Sequence, residues 1–157
     1  MSKLTPSQTI GPFFHEGMRW ALTPASAAAG AVSVTGRISD RDGKPVDDAV
    51  LEVWQPDFGA APFQRVYTGE AGAFAFAMPQ PGSGQLHANV TVFTRGLTCG
   101  LFTRVYLPAG GDPAKVQLPP GVPRERAGTL IARRDANGAY RWDIRLQGEG
   151  ETVFFEI

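Results

Sequence analysis

A two-residue alternation of apolar and polar side chains recurs along the chain and is most regular near its end. There Tyr140, Trp142, Ile144 and Leu146 alternate with Arg141, Asp143 and Arg145. Successive side chains on a strand point to opposite faces, so this pattern predicts a half-buried strand. The same period sets Val32, Val34 and Ile38 against Ser33, Thr35 and Arg37, and Phe74, Phe76 and Met78 against Ala73, Ala75 and Ala77. It also sets Leu86, Ala88, Val90 and Val92 against His87, Asn89, Thr91 and Phe93. The small alanines beside Phe74 and Phe76 suggest close approach of another element on that face.

Further strands are expected over 49–54, 101–107 and 129–133, the last fed by one helical turn within 124–134. A final strand over 151–157 puts Val153, Phe155 and Ile157 on one face and Phe154 on the other, which reads as burial on both sides. The turn Arg41-Asp42-Gly43-Lys44-Pro45 makes the first two strands a hairpin or near neighbours, and Asn137-Gly138 marks another reversal. About eight strands, separated by turn residues and with no long amphipathic helix, predict an all-β chain folded as a single β-sandwich. At 157 residues it suits one domain. Residues 1–30 read as an extended N-terminal arm, punctuated by Pro6, Gly11, Pro12 and Pro24 and carrying an Ala-rich tract over 25–29; residues 31–157 form the sandwich. The arm's Phe13, Phe14 and Trp20 are expected to be buried against the sandwich or to line an aromatic pocket.

Fifteen basic residues balance fifteen acidic ones without a Lys/Arg block, which argues against nucleic acid and anionic lipid as partners. Neither a signal-like start nor an apolar stretch long enough for a bilayer is present, so a cytoplasmic location is expected. The single cysteine, Cys99, excludes an intrachain disulfide and is expected as a small buried apolar residue.

Catalytic constellations are scarce. The two histidines, His15 and His87, cannot complete a His-rich metal cage, and no triad spacing or phosphate-cradling Gly-rich loop is found. His87 and Asn89 share one strand face, where a His pair would make a metal claw and a His with an Asn does not; His87 is expected in a hydrogen-bonded structural role. Arg95 stands at a strand end before Gly96. It either presents a guanidinium suited to bidentate recognition of a carboxylate or is a solvated, ion-paired surface residue.

The N-terminal run TPSQTIGPFFH over 5–15, the run DGKPVDDAVLEVWQ within 36–55 and the tail AYRWDIRLQGEGETVFFEI over 139–157 resemble the intradiol ring-cleaving dioxygenases. The first and last resemble specifically the alpha-type subunits of that family's heteromeric members, the protocatechuate 3,4-dioxygenases. The resemblance implies a β-sandwich in an alpha/beta hetero-oligomer with a beta subunit. It implies an oxidoreductase of aromatic hydrocarbon catabolism, on the beta-ketoadipate route, that cleaves 3,4-dihydroxybenzoate with O2 to 3-carboxy-cis,cis-muconate. The cofactor it implies is Fe(III), a non-haem iron held by two tyrosinates and two histidines of the beta subunit. Where beta-type chains carry His-x-His, this chain reads His87-Ala88-Asn89, and Tyr67, Tyr106 and Tyr140 fall outside the pattern of the tyrosine ligands. By resemblance no metal ligand and no catalytic residue is carried by this chain alone.

The resemblance further implies that Thr9, Gly11 and Pro12 of a Thr-x-Gly-Pro segment, and Arg95 of a Phe-x-Arg-Gly segment, reach the shared substrate pocket. Phe13 stands there where a tyrosine is common, so a hydroxyl contact is lost. The chain is also short after Trp54 relative to alpha-type subunits. Two rival readings are a purely structural subunit and a stand-alone transthyretin-like binding module.

Overall fold

The computed structural model describes residues 4–22, 30–55, 63–82 and 84–156. The Ala-rich tract, most of the shortened segment after Trp54, and Ile157 lie outside the described residues.

Among the described residues nine strands form two sheets: β1 (Ala31–Ser39), β2 (Val50–Trp54), β3 (Phe63–Tyr67), β4 (Ala73–Pro79), β5 (Leu86–Phe93), β6 (Leu101–Leu107), β7 (Arg133–Arg134), β8 (Tyr140–Arg141) and β9 (Ile144–Arg145). One sheet has the order β4-β1-β8-β7, with β9 also paired to β1; the other has the order β3-β2-β5-β6. This is the expected sandwich. Val34 and Ile38 of β1 and Phe74, Phe76 and Met78 of β4 pack from one sheet. They meet Leu51 and Val53 of β2, Val90 and Val92 of β5, and Val105 and Leu107 of β6. Burial of each such side chain contributes about 1.5–3 kcal/mol, which is why the alternation determines which face turns inward.

Several expectations are corrected. The turn after β1 forms as read, with Asp40 Oδ1 accepting from the backbone N–H of Asp42 and Lys44. However, β1 and β2 lie in different sheets: β1 pairs with β4, and β2 pairs with β3 and β5. The turn chemistry specifies a local reversal, after which residues 47–49 cross to the facing sheet.

The long strand expected over 140–146 is two short ones, β8 and β9, both parallel to β1. The interruption is Trp142, whose N–H donates to Thr35 O (2.8 Å) and whose indole Nε1 donates to Thr129 O (2.8 Å). Its carbonyl oxygen lies 1.8 Å from the point a Cβ on Gly36 would occupy, so only glycine admits this approach.

Residues 129–133 do not form one strand. A 3-10 segment covers Arg124–Leu130, Ile131 makes an isolated bridge to Tyr106, and β7 follows. The tail after Glu151 forms no named strand among the described residues: Thr152 N–H donates to Arg145 O of β9 (3.0 Å), Val153 O accepts from the Thr103 hydroxyl of β6 (2.7 Å), and Phe155 makes an isolated bridge to Phe102. Thr152 and Val153 are buried there, and Phe154 and Phe155 are half-buried.

Strand β3 was not expected. Its apolar Phe63 and Tyr67 face outward, whereas Gln64 is fully buried. The Gln64 side-chain amide pairs with Ala77 of β4, donating to its carbonyl (2.7 Å) and accepting from its N–H (3.0 Å). Ala77 is thus closely approached, as the small residues suggested, while Ala73 and Ala75 are exposed.

Cys99 is exposed in the β5–β6 connection, contrary to expectation. Phe13 and Trp20 are likewise 76% and 83% exposed, and the short helix α1 (Phe14–Gly17) turns Phe14 toward Phe93 instead, with ring centroids 6.2 Å apart.

Candidate functional site

The arm meets the sandwich at the turn after β5. Thr9 Oγ1 accepts from the N–H of Gly96 at 2.9 Å, a contact spanning 87 residues of sequence, and from the N–H of Gly11 at 3.4 Å. Gly96 has φ +84°, the left-handed conformation that lets the chain reverse toward β6 while its N–H faces the arm. Gln8 and Ile10 flank Thr9 and, with Phe93 and Leu97, line a cavity of about 120 Å³ beside Cys99. Thr9 therefore meets the Arg95-Gly96 turn directly, while Gly11 bonds to Thr9 within the arm. Pro12 and Phe13 are exposed beyond them.

Arg95 is held by two carboxylates from the segment entering β2. Its Nε lies 2.9 Å from Asp48 Oδ2, and its Nη2 donates to Asp47 Oδ1 at 3.5 Å. The Asp48 side chain is only 5% exposed, and its other oxygen, Oδ1, accepts from the Thr94 hydroxyl at 2.8 Å. Sequence reasoning singled out Arg95 but missed Asp47, Asp48 and Thr94. An acidic pair ahead of a strand gives no sign that it will meet a cation more than 40 residues away. Arg95 also borders a cavity of about 680 Å³ at this end of the sandwich, with Leu97, Leu101, Leu146 and Phe154 on its walls and Arg41 on its rim. That volume falls in the range that takes a small organic ligand.

Mid-way along β5 stands Asn89, where the resemblance puts the second histidine of a metal claw. Asn89 Oδ1 instead accepts from Arg104 Nε at 3.0 Å. The Arg104 guanidinium lies 5.9 Å from the Phe102 ring centre and 5.5 Å from that of Phe155. His87 stacks on Tyr106 with ring centres 5.5 Å apart. His15 of the arm stacks on Tyr67 of β3, and Tyr140 is buried in the core. Among the described residues no group of three or more His, Cys, Asp or Glu side chains gathers. With a guanidinium bonded to Asn89, the site carries a fixed positive charge where an iron cation would need anionic donors, and the residues present do not fit that ion.

The chain is 37% identical to a protocatechuate 3,4-dioxygenase alpha chain of Burkholderia cepacia, in a match that covers 99% of this chain and 98% of the relative. It is 25% identical to the beta chain of the same organism's enzyme, over 93% of this chain and 77% of that one. Among solved structures, the dioxygenase domain of a dioxygenase and carbohydrate-binding protein fusion from Streptomyces sp. SirexAA-E superposes with a TM-score of 0.54. It is 22% identical, covers 93% of this chain and 99% of that one, and bears on the fold. No family model matches the chain. Identity of 37% along nearly the whole of both sequences, higher than the 25% to the beta chain, establishes that the chain belongs to the protocatechuate 3,4-dioxygenase alpha-chain family.

Proposed function

We propose that this chain is the alpha subunit of a heteromeric protocatechuate 3,4-dioxygenase, an enzyme that opens the ring of 3,4-dihydroxybenzoate with O2 in aromatic catabolism. The observation that carries this reading is the 37% identity to an alpha chain along nearly the whole of both sequences. In this reading residues 1–30 act as an arm and residues 31–157 as the sandwich, in a cytoplasmic alpha/beta complex. The non-haem ferric iron that the family implies is held by the beta subunit; when bound there, it activates the catecholate toward O2. The residues of this chain bind and orient.

Thr9, Gly11, Pro12 and Phe13 supply one wall of the shared pocket, and Arg95 supplies a cation toward the substrate carboxylate. The hydrogen bond from Gly96 to Thr9 supports a common role for the arm and the Arg95 turn, because it fixes the two against each other. A positioned wall and a fixed charge act by orienting the reactant and by excluding water around it.

The contacts of Arg95 with Asp47 and Asp48 favour one rival, in which Arg95 only ties the turn down and the subunit is purely structural. Arg95→Ala in the co-assembled enzyme separates the two. The pocket role expects a KM for protocatechuate raised about tenfold, with iron content and assembly retained. Loss of assembly, or unchanged kinetics, sinks it.

A further inference from the structure

We propose that Asp48 is a positioning residue that sets the Arg95 guanidinium to receive an aromatic carboxylate, an inference that rests on the role of Arg95 given above. Asp48 is 3% exposed. A carboxylate is costly to bury unless charge and hydrogen bonds compensate it, and here its two oxygens are divided between consecutive residues. Oδ1 accepts from the Thr94 hydroxyl at 2.8 Å. Oδ2 is sealed from solvent and makes no aligned hydrogen bond; its partner is the Arg95 charge, 2.9 Å away at Nε. One buried side chain thus holds both the Thr94 hydroxyl and the Arg95 guanidinium at the turn that receives Thr9.

The way the fork is used matters. A guanidinium carries five N–H groups in a plane, enough for two carboxylates on different edges. The Nε and Nη2 side faces Asp48 and Asp47, and among the described residues Nη1 makes no hydrogen bond or ion pair. Arg95 borders the cavity of about 680 Å³, whereas Asp47 and Asp48 do not. The other acids on that cavity are committed elsewhere: Asp40 Oδ1 to the backbone of Asp42 and Lys44, and Glu151 to Arg126 at 3.0 Å. Arg95 lines this cavity with Leu97, Leu101, Leu146 and the Gly96 that receives the arm at Thr9, a lining that suits a ring bearing a carboxylate. Asp47 is a lesser partner, at 3.5 Å and 63% exposed, where an ion pair is screened.

The test uses the enzyme assembled with its beta subunit. Asp48→Asn keeps the shape and an acceptor for Thr94 while removing the charge. It should raise the KM for protocatechuate about five- to tenfold with kcat and iron content retained, and should add nothing in an Arg95→Ala background. For a catechol lacking the carboxylate, the same substitution should shift kcat/KM by less than about twofold. If Asp48→Asn fails to assemble, Thr94→Val loosens the carboxylate without leaving a charge unpaired, and should show a smaller rise with the same substrate dependence. Equal losses on both catechols assign Asp48 a merely structural role and overturn the proposal. So does an Arg95→Ala enzyme with raised KM beside an Asp48→Asn enzyme with none. If Arg95→Ala itself changes nothing, the role of Arg95 falls first and this inference with it.

Discussion

Replacing Thr9 with Val keeps the side-chain shape and removes the oxygen that joins the arm to the sandwich. Two hydrogen bonds are lost, one at 2.9 Å from Gly96 and one at 3.4 Å from Gly11. The second lies near the limit of a hydrogen bond, so the first dominates. A typical intramolecular hydrogen bond contributes about 0.5–1.5 kcal/mol net, and the Gly96 amide is exposed, so water takes over as acceptor and no buried donor is orphaned. The expected cost therefore lies at the lower end, about 0.5–1 kcal/mol, which shifts the docked-to-undocked ratio of the arm by about two- to fivefold. Hydrogen exchange at the Gly96 amide should accelerate by at least that factor, and kcat/KM of the assembled enzyme for protocatechuate should fall by no more than it. Unchanged exchange at Gly96 would refute the contact, and unchanged kcat/KM alongside faster exchange would remove the arm from the pocket.

Two further substitutions probe the scaffold. Gln64→Met preserves volume but strips both partners from the Ala77 peptide group, so urea unfolding should show a loss of about 2–4 kcal/mol, and a loss under about 1 kcal/mol would mean that the buried amide pairing contributes little. Gly36→Ala drives a methyl into the Trp142 carbonyl, which is held in place through hydrogen bonds to Thr35 and Thr129; a destabilisation of about 3 kcal/mol or more is expected, and near-wild-type stability in the same assay would contradict this packing.

What could be read from the chain followed from how each residue satisfies itself. Strands β1, β4 and β5 were legible because their inward positions are apolar, so period two and burial coincide. Strand β3 was hidden because its inward Gln64 is satisfied by a peptide group of the facing sheet, while its aromatics face out. A pattern that scores polarity sees that inversion as a loop. The turn at Asp40 was recognised, yet turn chemistry determines where the chain reverses and not which sheet it enters next. Cys99 was placed inside by residue type alone, although the turn following Gly96 carries it to the surface.

At the site, Thr9 is named by resemblance alone and Arg95 also by its place at a strand end, and their proximity cannot be read from spacing. The carboxylates that hold Arg95 were illegible for the same reason, since a tertiary ion pair leaves no local trace. The replacement at Asn89 was visible as a missing ligand, but the guanidinium of Arg104 beside it appears only once β5 and β6 are paired.

The central claim is that this chain completes a pocket around iron held by its partner. It is tested most directly by measuring iron content and oxygen uptake with protocatechuate for the chain purified alone and for the chain co-purified with a beta subunit. The expected result is a colourless, iron-free and inert chain alone, and a complex with iron stoichiometric with the beta subunit that consumes O2 in step with substrate. Stoichiometric iron and turnover in the isolated chain would contradict the claim.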